Sequence, residues 1–192
     1  AYGSIRRIFS VEEIDMSEGS WLIMAQAGYQ LNPVSGELRS SGYLFNNRGH
    51  RSISEKISDA VNGWEQLRKG KEITGAVARK VYSYMSTKER IKRGFKSIAG
   101  VEDIDFVDLK TLIADHGLLA TEDMVWHVAM DRLPESDRAY IIAMLRRGER
   151  FNGEPRITVS TIHGAKGGEA DNVVLFTDLS PAAEEQMTIT PD

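Results

Sequence analysis

At 192 residues, with 41% hydrophobic and 27% charged side chains, the chain has the composition of a folded protein that buries a substantial core, not the bias of a disordered one. It contains no cysteine, which excludes a disulfide framework, a thiol nucleophile and a thiolate metal site and fits a reducing cytosol. The net charge of −4 argues against uniform coating by nucleic acid but allows a local cationic patch; no apolar run approaches the ~20 residues that span a bilayer, and no signal peptide is visible.

In chain order, residues 2–10 mix Ile5, Ile8 and Phe9 with Arg6 and Arg7 and read as an edge strand. Residues 11–19 are acidic and read as a short helix or turn. Trp21-Leu22-Ile23-Met24-Ala25 is then a buried strand. Asn32-Pro33 supplies an N-cap and a first-turn proline, so residues 34–41 are expected to be helical up to Gly42, with Tyr43-Leu44-Phe45 as a short strand.

From there the pattern turns helical. Ser52-Ile53-Ser54-Glu55 reads as a capping box, after which Ile53, Ile57, Ala60, Val61, Trp64 and Leu67 share one face as far as Gly70. Thr74 caps a helix with Val77, Val81 and Tyr82 on its buried side. Ser86-Thr87-Lys88-Glu89 reads as another capping box, opening a basic run of Lys88, Arg90, Lys92, Arg93 and Lys96; an acidic run of Glu102, Asp103, Asp105, Asp108 and Asp115 follows. Residues 106–116, 122–133 and 135–147 read as three further helices stopped by Gly117, Pro134 and Gly148, with Thr121 and Ser136 as caps. Core packing is the default role of Trp21, Trp64 and Trp126. His50, His116 and His127 have no carboxylate at metal-ligand spacing, so no metal site is assigned.

The chain is organised around residues 156–178. Residues 156–160 and 172–177 are short, rich in Val and Ile, and read as buried strands of a parallel sheet. Between them lie Thr161, His163, Lys166, Glu169 and Asp171, with Gly164, Gly167 and Gly168 allowing positive φ and close approach of a ligand. A turn at the carboxyl end of such a strand is where open α/β sheets bind ligands, and its amides can cradle phosphate. Lys166 is the best cation for a phosphate, the alternative being a solvated lysine on a turn. Glu169 suits a ribose hydroxyl or the cap of the next turn; Thr161 suits a phosphate oxygen, and His163 a nucleic-acid strand by stacking or donation.

The stretch Thr161-Ile162-His163-Gly164-Ala165-Lys166-Gly167-Gly168-Glu169-Ala170-Asp171-Asn172-Val173-Val174 resembles motif V of the UvrD/Rep/PcrA-like superfamily 1 DNA helicases, whose usual form is T-x-H-x-x-K-G-L-E before an apolar strand. Gly168 stands where that family most often has Leu. The strand, helix, strand order of residues 21–45 resembles the segment after motif IV, although Gln26-Ala27-Gly28 occupies a triplet in which the family carries an Arg. The resemblance implies an α/β fold: a RecA-like parallel sheet built from both ends of the chain, with an inserted all-helical subdomain. Residues 1–46 and 151–192 are then part of the second motor domain, and 47–150 a helical insertion of the kind called 2B. It implies nucleotide contacts from Lys166, Gly167, Gly168 and Glu169 and DNA contacts from Thr161, His163 and Gly164. The basic run, on an insertion lying near the duplex, is either a phosphate contact or a solvated helix face.

No P-loop, no Asp-Glu pair after an apolar strand and no Val-Ala-x-Thr-Arg-Ala motif VI occurs. The chain begins Ala-Tyr-Gly and stops at Thr190-Pro191-Asp192, which gives the expectation of a piece of a longer protein. No catalytic residue is assigned within it, and alone it is not expected to hydrolyse ATP. The function expected of the whole is that of a cytoplasmic ATP-dependent DNA helicase. Its cofactors are ATP and Mg²⁺, held together with the missing first motor domain, and its partner is DNA as a single strand or a junction of single and double strand. The alternatives are a non-catalytic nucleic-acid-binding module and another phosphate-binding α/β enzyme.

Overall fold

In the computed structural model, which describes residues 4–8, 10–98 and 105–177, five strands form one sheet. They are β1 (Trp21–Ala25), β2 (Phe45–Asn47), β3 (His50–Arg51), β4 (Ile157–Thr161) and β5 (Asn172–Leu175), in the order β3-β2-β4-β1-β5. β1 lies between β4 and β5, parallel to both, with Leu22 opposite Thr158 and Val173, and Met24 opposite Ser160 and Leu175. β2 runs parallel to β4, and β3 pairs antiparallel with β2. The sheet is therefore α/β in character and mostly parallel, drawn from both ends of the chain. It is mixed because Asn47-Arg48-Gly49-His50 is a two-residue hairpin, which the sequence reading did not anticipate.

The chain divides into two compact units, residues 1–52 with 140–192, and residues 53–139. Paired residues of neighbouring strands share a sheet face. In the sheet unit one face carries Ile23, Phe45, Ile157 and Val159, each at most 1% exposed. Val34 and Leu38 of α1 (Asn32–Ser40), and Ile141 and Met144 from the later turns of a helix at Glu135–Arg147, are buried in the same unit. The opposite face carries Leu22, Thr158 and Ser160, with Val173 and Leu175 half exposed at its edge.

Two local expectations in this unit are corrected. Residues 4–8 and 10 form no strand, and Ile5 is fully exposed, so no neighbour offers its backbone a ladder. Asn32 is already helical, because a 3-10 turn at Gly28–Leu31 leads directly into α1 and Leu31 takes the N-cap position. Tyr2, Phe9, Glu102, Asp103 and the segment 178–192 lie outside the described residues.

Gly42 ends α1 as expected, at φ +74, and a Cβ there would lie 2.4 Å from the Ala143 carbonyl carbon and oxygen. A left-handed alanine costs about 1 kcal/mol, and here the opposing atoms are backbone that cannot swing away. Gly42→Ala is expected to lower unfolding free energy by roughly 2 kcal/mol or more, read by urea denaturation. An unchanged midpoint would contradict the close approach.

The second unit holds α2 (Glu55–Arg68), α3 (Gly75–Ser83), α4 (Leu109–Asp115), α5 (Trp126–Ala129) and the start of α6 (Glu135–Arg147). Ser54, not Ser52, caps α2 by accepting from the Ile57 amide; the Ser52 hydroxyl instead accepts from the Phe45 amide and meets the Tyr140 hydroxyl at 2.6 Å. Thr74 caps α3 and Asp108 caps α4, the latter accepting from the Thr111 amide at 2.8 Å, which holds its carboxyl below the usual aspartate range. The unit is not wholly helical. Residues 86–91 form a turn closed by a Thr87–Ile91 bridge, with Lys88 at φ 85, in place of a capped helix. The Lys96 ammonium is taken by the carbonyls of Tyr82, at 2.6 Å, and of Met85, where it satisfies acceptors at the end of α3. Burial holds its pKa below the ordinary lysine value. Lys96 is thus a structural cation, not a free phosphate contact.

Residues 122–133 give only the short α5, since tertiary bonds fix the preceding turn: the Trp64 indole donates to the Met124 carbonyl at 2.8 Å, and the Trp126 amide donates to Glu65 at 3.3 Å. Thr121 bonds Asp123 rather than capping a long helix, and Ser136 lies inside α6.

Candidate functional site

β4 and β5 are parallel and lie on either side of β1, so residues 162–171 must return from the carboxyl end of one strand to the amino end of the other. At its start, the Ile162 amide donates to the Ala25 carbonyl at 2.9 Å, holding it against the end of β1. At its finish, the Ser20 amide and hydroxyl donate to Asp171 at 2.9 and 2.8 Å, and the Asp171 amide donates to the Ser20 hydroxyl at 2.9 Å. These bonds hold the Asp171 carboxyl below its ordinary range. Between the two anchors the connection passes close to Leu22, which explains why that side chain is buried although it points to the less covered face.

The tight part of the loop is bonded internally. Gly164 donates to the Thr161 hydroxyl at 3.1 Å, Ala165 to the Thr161 carbonyl at 2.9 Å, Lys166 to the His163 carbonyl at 3.4 Å, and Gly168 to the Ala165 carbonyl at 2.8 Å. These four amides are therefore not the phosphate cradle that the sequence suggested. Of the three glycines only Gly167 has positive φ, at 80°; Gly164 lies close to β4, where a Cβ would sit 2.8 Å from the Ser160 hydroxyl. Thr161 accepts from Gly164 and keeps its own hydroxyl proton for donation.

An open cleft of about 880 Å³ lies beside this connection, within the sheet unit. Thr158 and Ser160 of β4 line its floor. Thr161 ends β4 at the cleft, the connection contributes Gly164, Lys166, Gly168 and Glu169, and the turn between β2 and β3 contributes Arg48 and Gly49. Of the residues expected to act, Thr161, Gly164, Lys166, Gly168 and Glu169 meet at this cleft. His163 and Gly167 are exposed and do not line it.

Sequence reasoning missed Arg48, Ser160 and Trp21. Trp21 is only partly buried; its indole donates to the Glu18 carbonyl at 2.8 Å and it lines the cleft, so it is not a core tryptophan. Arg48 sits in the turn at φ 49 and its guanidinium reaches Gly28, just past the end of β1. A signal for that turn was present: Asn46-Asn47-Arg48-Gly49 is turn chemistry between two short strands.

Chemically, the cleft offers cations for an oxyanion, hydroxyl donors on its floor, and in Glu169 a carboxylate able to accept from a sugar hydroxyl, which suits the phosphate and ribose of a nucleotide. Among the described residues no group of three His, Asp or Glu side chains is arranged around a possible metal ion, and no helix is long and apolar enough to cross a membrane. A second cavity of about 490 Å³ is lined by Glu12, Asp15, Glu37, Tyr43 and Arg147. There the Arg147 guanidinium lies 3.6 Å from the Tyr43 ring centre and donates to the Ser41 carbonyl at 2.9 Å, and burial together with the Glu12 charge pushes the Glu37 carboxyl above its ordinary range. Compared with family models, with curated proteins and with solved structures, the chain finds no match in any of the three.

Proposed function

We propose that the sheet unit is the second, RecA-like motor domain of a cytoplasmic ATP-dependent DNA helicase of the UvrD/Rep kind, and that residues 53–139 are its 2B-like insertion. The observation that carries this reading is the placement of the motif-like loop: Thr161, Lys166 and Glu169 leave the carboxyl end of an inner parallel strand and line one cleft. ATP with Mg²⁺, bound jointly with a first motor domain, supplies the free energy of hydrolysis. In this chain Lys166 neutralises phosphate charge, Glu169 accepts from the ribose, and the Thr161 hydroxyl and exposed His163 face the DNA strand. Because the same ten-residue connection carries both sets of contacts, a change in its position on one side is felt on the other, which is the coupling that translocation requires.

The coding sequence on either side tests the assignment directly. A G-x-x-x-x-G-K-[ST] motif upstream and a Val-Ala-x-Thr-Arg-Ala motif downstream are expected. Their absence would overturn the motor reading in favour of a non-catalytic binding module or another phosphate-binding α/β enzyme.

A further inference from the structure

In the sheet unit most arginines near the sheet are committed. Arg39 donates to the Ser52 carbonyl at 2.7 Å, Arg51 to the Phe151 and Gly153 carbonyls at 2.7 and 2.9 Å, and Arg156 pairs with Glu149 at 3.6 Å. Arg48 differs. Among the described residues its guanidinium, like the Lys166 ammonium, has no hydrogen-bond, ion-pair or ring partner, and both side chains line the same cleft.

Arg48 is also a poor choice for its backbone. It occupies the first position of a two-residue hairpin turn, with φ 49 followed by Gly49 at φ 83, a conformation that favours Asn or Gly. A left-handed backbone and an exposed, unpartnered charge at the cleft are together what a ligand-binding role accounts for. From a backbone whose amide donates to the Val159 carbonyl, the side chain crosses the carboxyl end of β4 and reaches Gly28 beyond β1.

A third group completes the pattern. Ser160 is only 7% exposed, lines the cleft floor, and its hydroxyl has no partner among the described residues. The hydroxyl is not sealed off from solvent, so an acceptor entering the cleft can take its hydrogen bond. Glu154 and Glu169 line the cleft as well, so an anion is favoured only where the cations outweigh them.

We propose that Arg48 and Ser160, with Lys166, form a binding site for a single phosphate group, Ser160 donating from the floor and the two cations from the walls. This rests on the reading of the cleft as a nucleotide and DNA site, and adds two residues to it. The phosphate is either that of a nucleoside triphosphate or a phosphodiester of a single strand.

The experiment measures binding of ATP and, separately, of oligothymidylate by the intact polypeptide and its Arg48→Asn, Ser160→Ala and Lys166→Ala variants. Asn suits the turn better than Arg, and Ala removes an unbonded hydroxyl, so the first two are expected to melt no lower than wild type. Arg48→Asn should weaken binding of one probe roughly tenfold, and Ser160→Ala several-fold. If the oligonucleotide is the affected probe, the dependence of log affinity on log salt should fall by about 0.7 for Arg48→Asn. Loss confined to ATP assigns the phosphate to the nucleotide; loss confined to oligothymidylate assigns it to the strand; either supports the site. If Lys166→Ala weakens binding while Arg48→Asn and Ser160→Ala bind both probes as wild type does, this inference fails and the cleft reading stands. Wild-type protein binding neither probe would overturn both.

Discussion

Trp64→Ala is expected to lower unfolding free energy by about 3–5 kcal/mol. Trp64 is inaccessible to solvent in α2 and is among the largest fully buried side chains of the protein. Truncation deletes the indole from a core that includes Ile57, Val61, Val81 and Tyr82, and surrounding helices relax only partly into such a space. It also removes the donor that the Met124 carbonyl uses, adding the cost of an unpaired acceptor near the start of α5. Trp64→Phe helps separate the two effects, since it retains most of the apolar volume while losing the N–H and part of the ring system. Its loss should be the smaller, near 1–3 kcal/mol for the acceptor and residual space together. Urea denaturation followed by circular dichroism measures both; equal losses for Phe and Ala would show that packing around Trp64 contributes little.

How far residue order alone reaches can be seen element by element. β1, β4 and β5 were legible as strands because Trp21–Ala25, Ile157–Thr161 and Asn172–Leu175 are short apolar runs between turn residues, but β5, expected to be buried, is an edge strand with Val173 and Leu175 half exposed. β2 was legible only with shifted bounds, since the expected strand Tyr43-Leu44-Phe45 meets it at Phe45, and β3 was not legible, because Asn46, Asn47, His50 and Arg51 carry no alternation and are held as strands only by pairing. Local patterning also misled where tertiary bonds compete. Ser86-Thr87-Lys88-Glu89 has the spacing of a helix start, yet the Ser86 amide donates to Asp131 and Lys88 bonds Ile91 across a turn. Ser52 was drawn away from its helix by Phe45 and Tyr140, partners far off in sequence.

The candidate site divides in the same way. Thr161, Lys166 and Glu169 lie within nine residues of one another, so their spacing could be read directly. Arg48 reaches the cleft only because β2 and β4 pair, a fact of the sheet order and not of any window of sequence, whereas Ser160 directly precedes Thr161 on β4 and lay within the strand already read. The expected amide cradle is narrowed for a related reason. Spacing says where glycines fall but not where the amides send their hydrogen bonds, and four of them close the loop on itself.

The functional reading stands on Lys166 and Glu169 acting on a bound nucleotide. Both side chains are exposed, and neither has a partner among the described residues, so removing them should leave the melting temperature unchanged. A positioned charge facing a phosphate that gains charge in the transition state contributes about 10²–10³ in rate. The most direct measurement is ATP hydrolysis by the intact polypeptide with and without single-stranded DNA. Wild-type turnover should rise on adding DNA; Lys166→Ala should reduce the stimulated rate by about a hundredfold and Glu169→Ala should raise the KM for ATP roughly tenfold, both melting as wild type does. Variants that hydrolyse ATP with the wild-type rate and KM, or a wild-type protein with no DNA-stimulated turnover, would contradict the account.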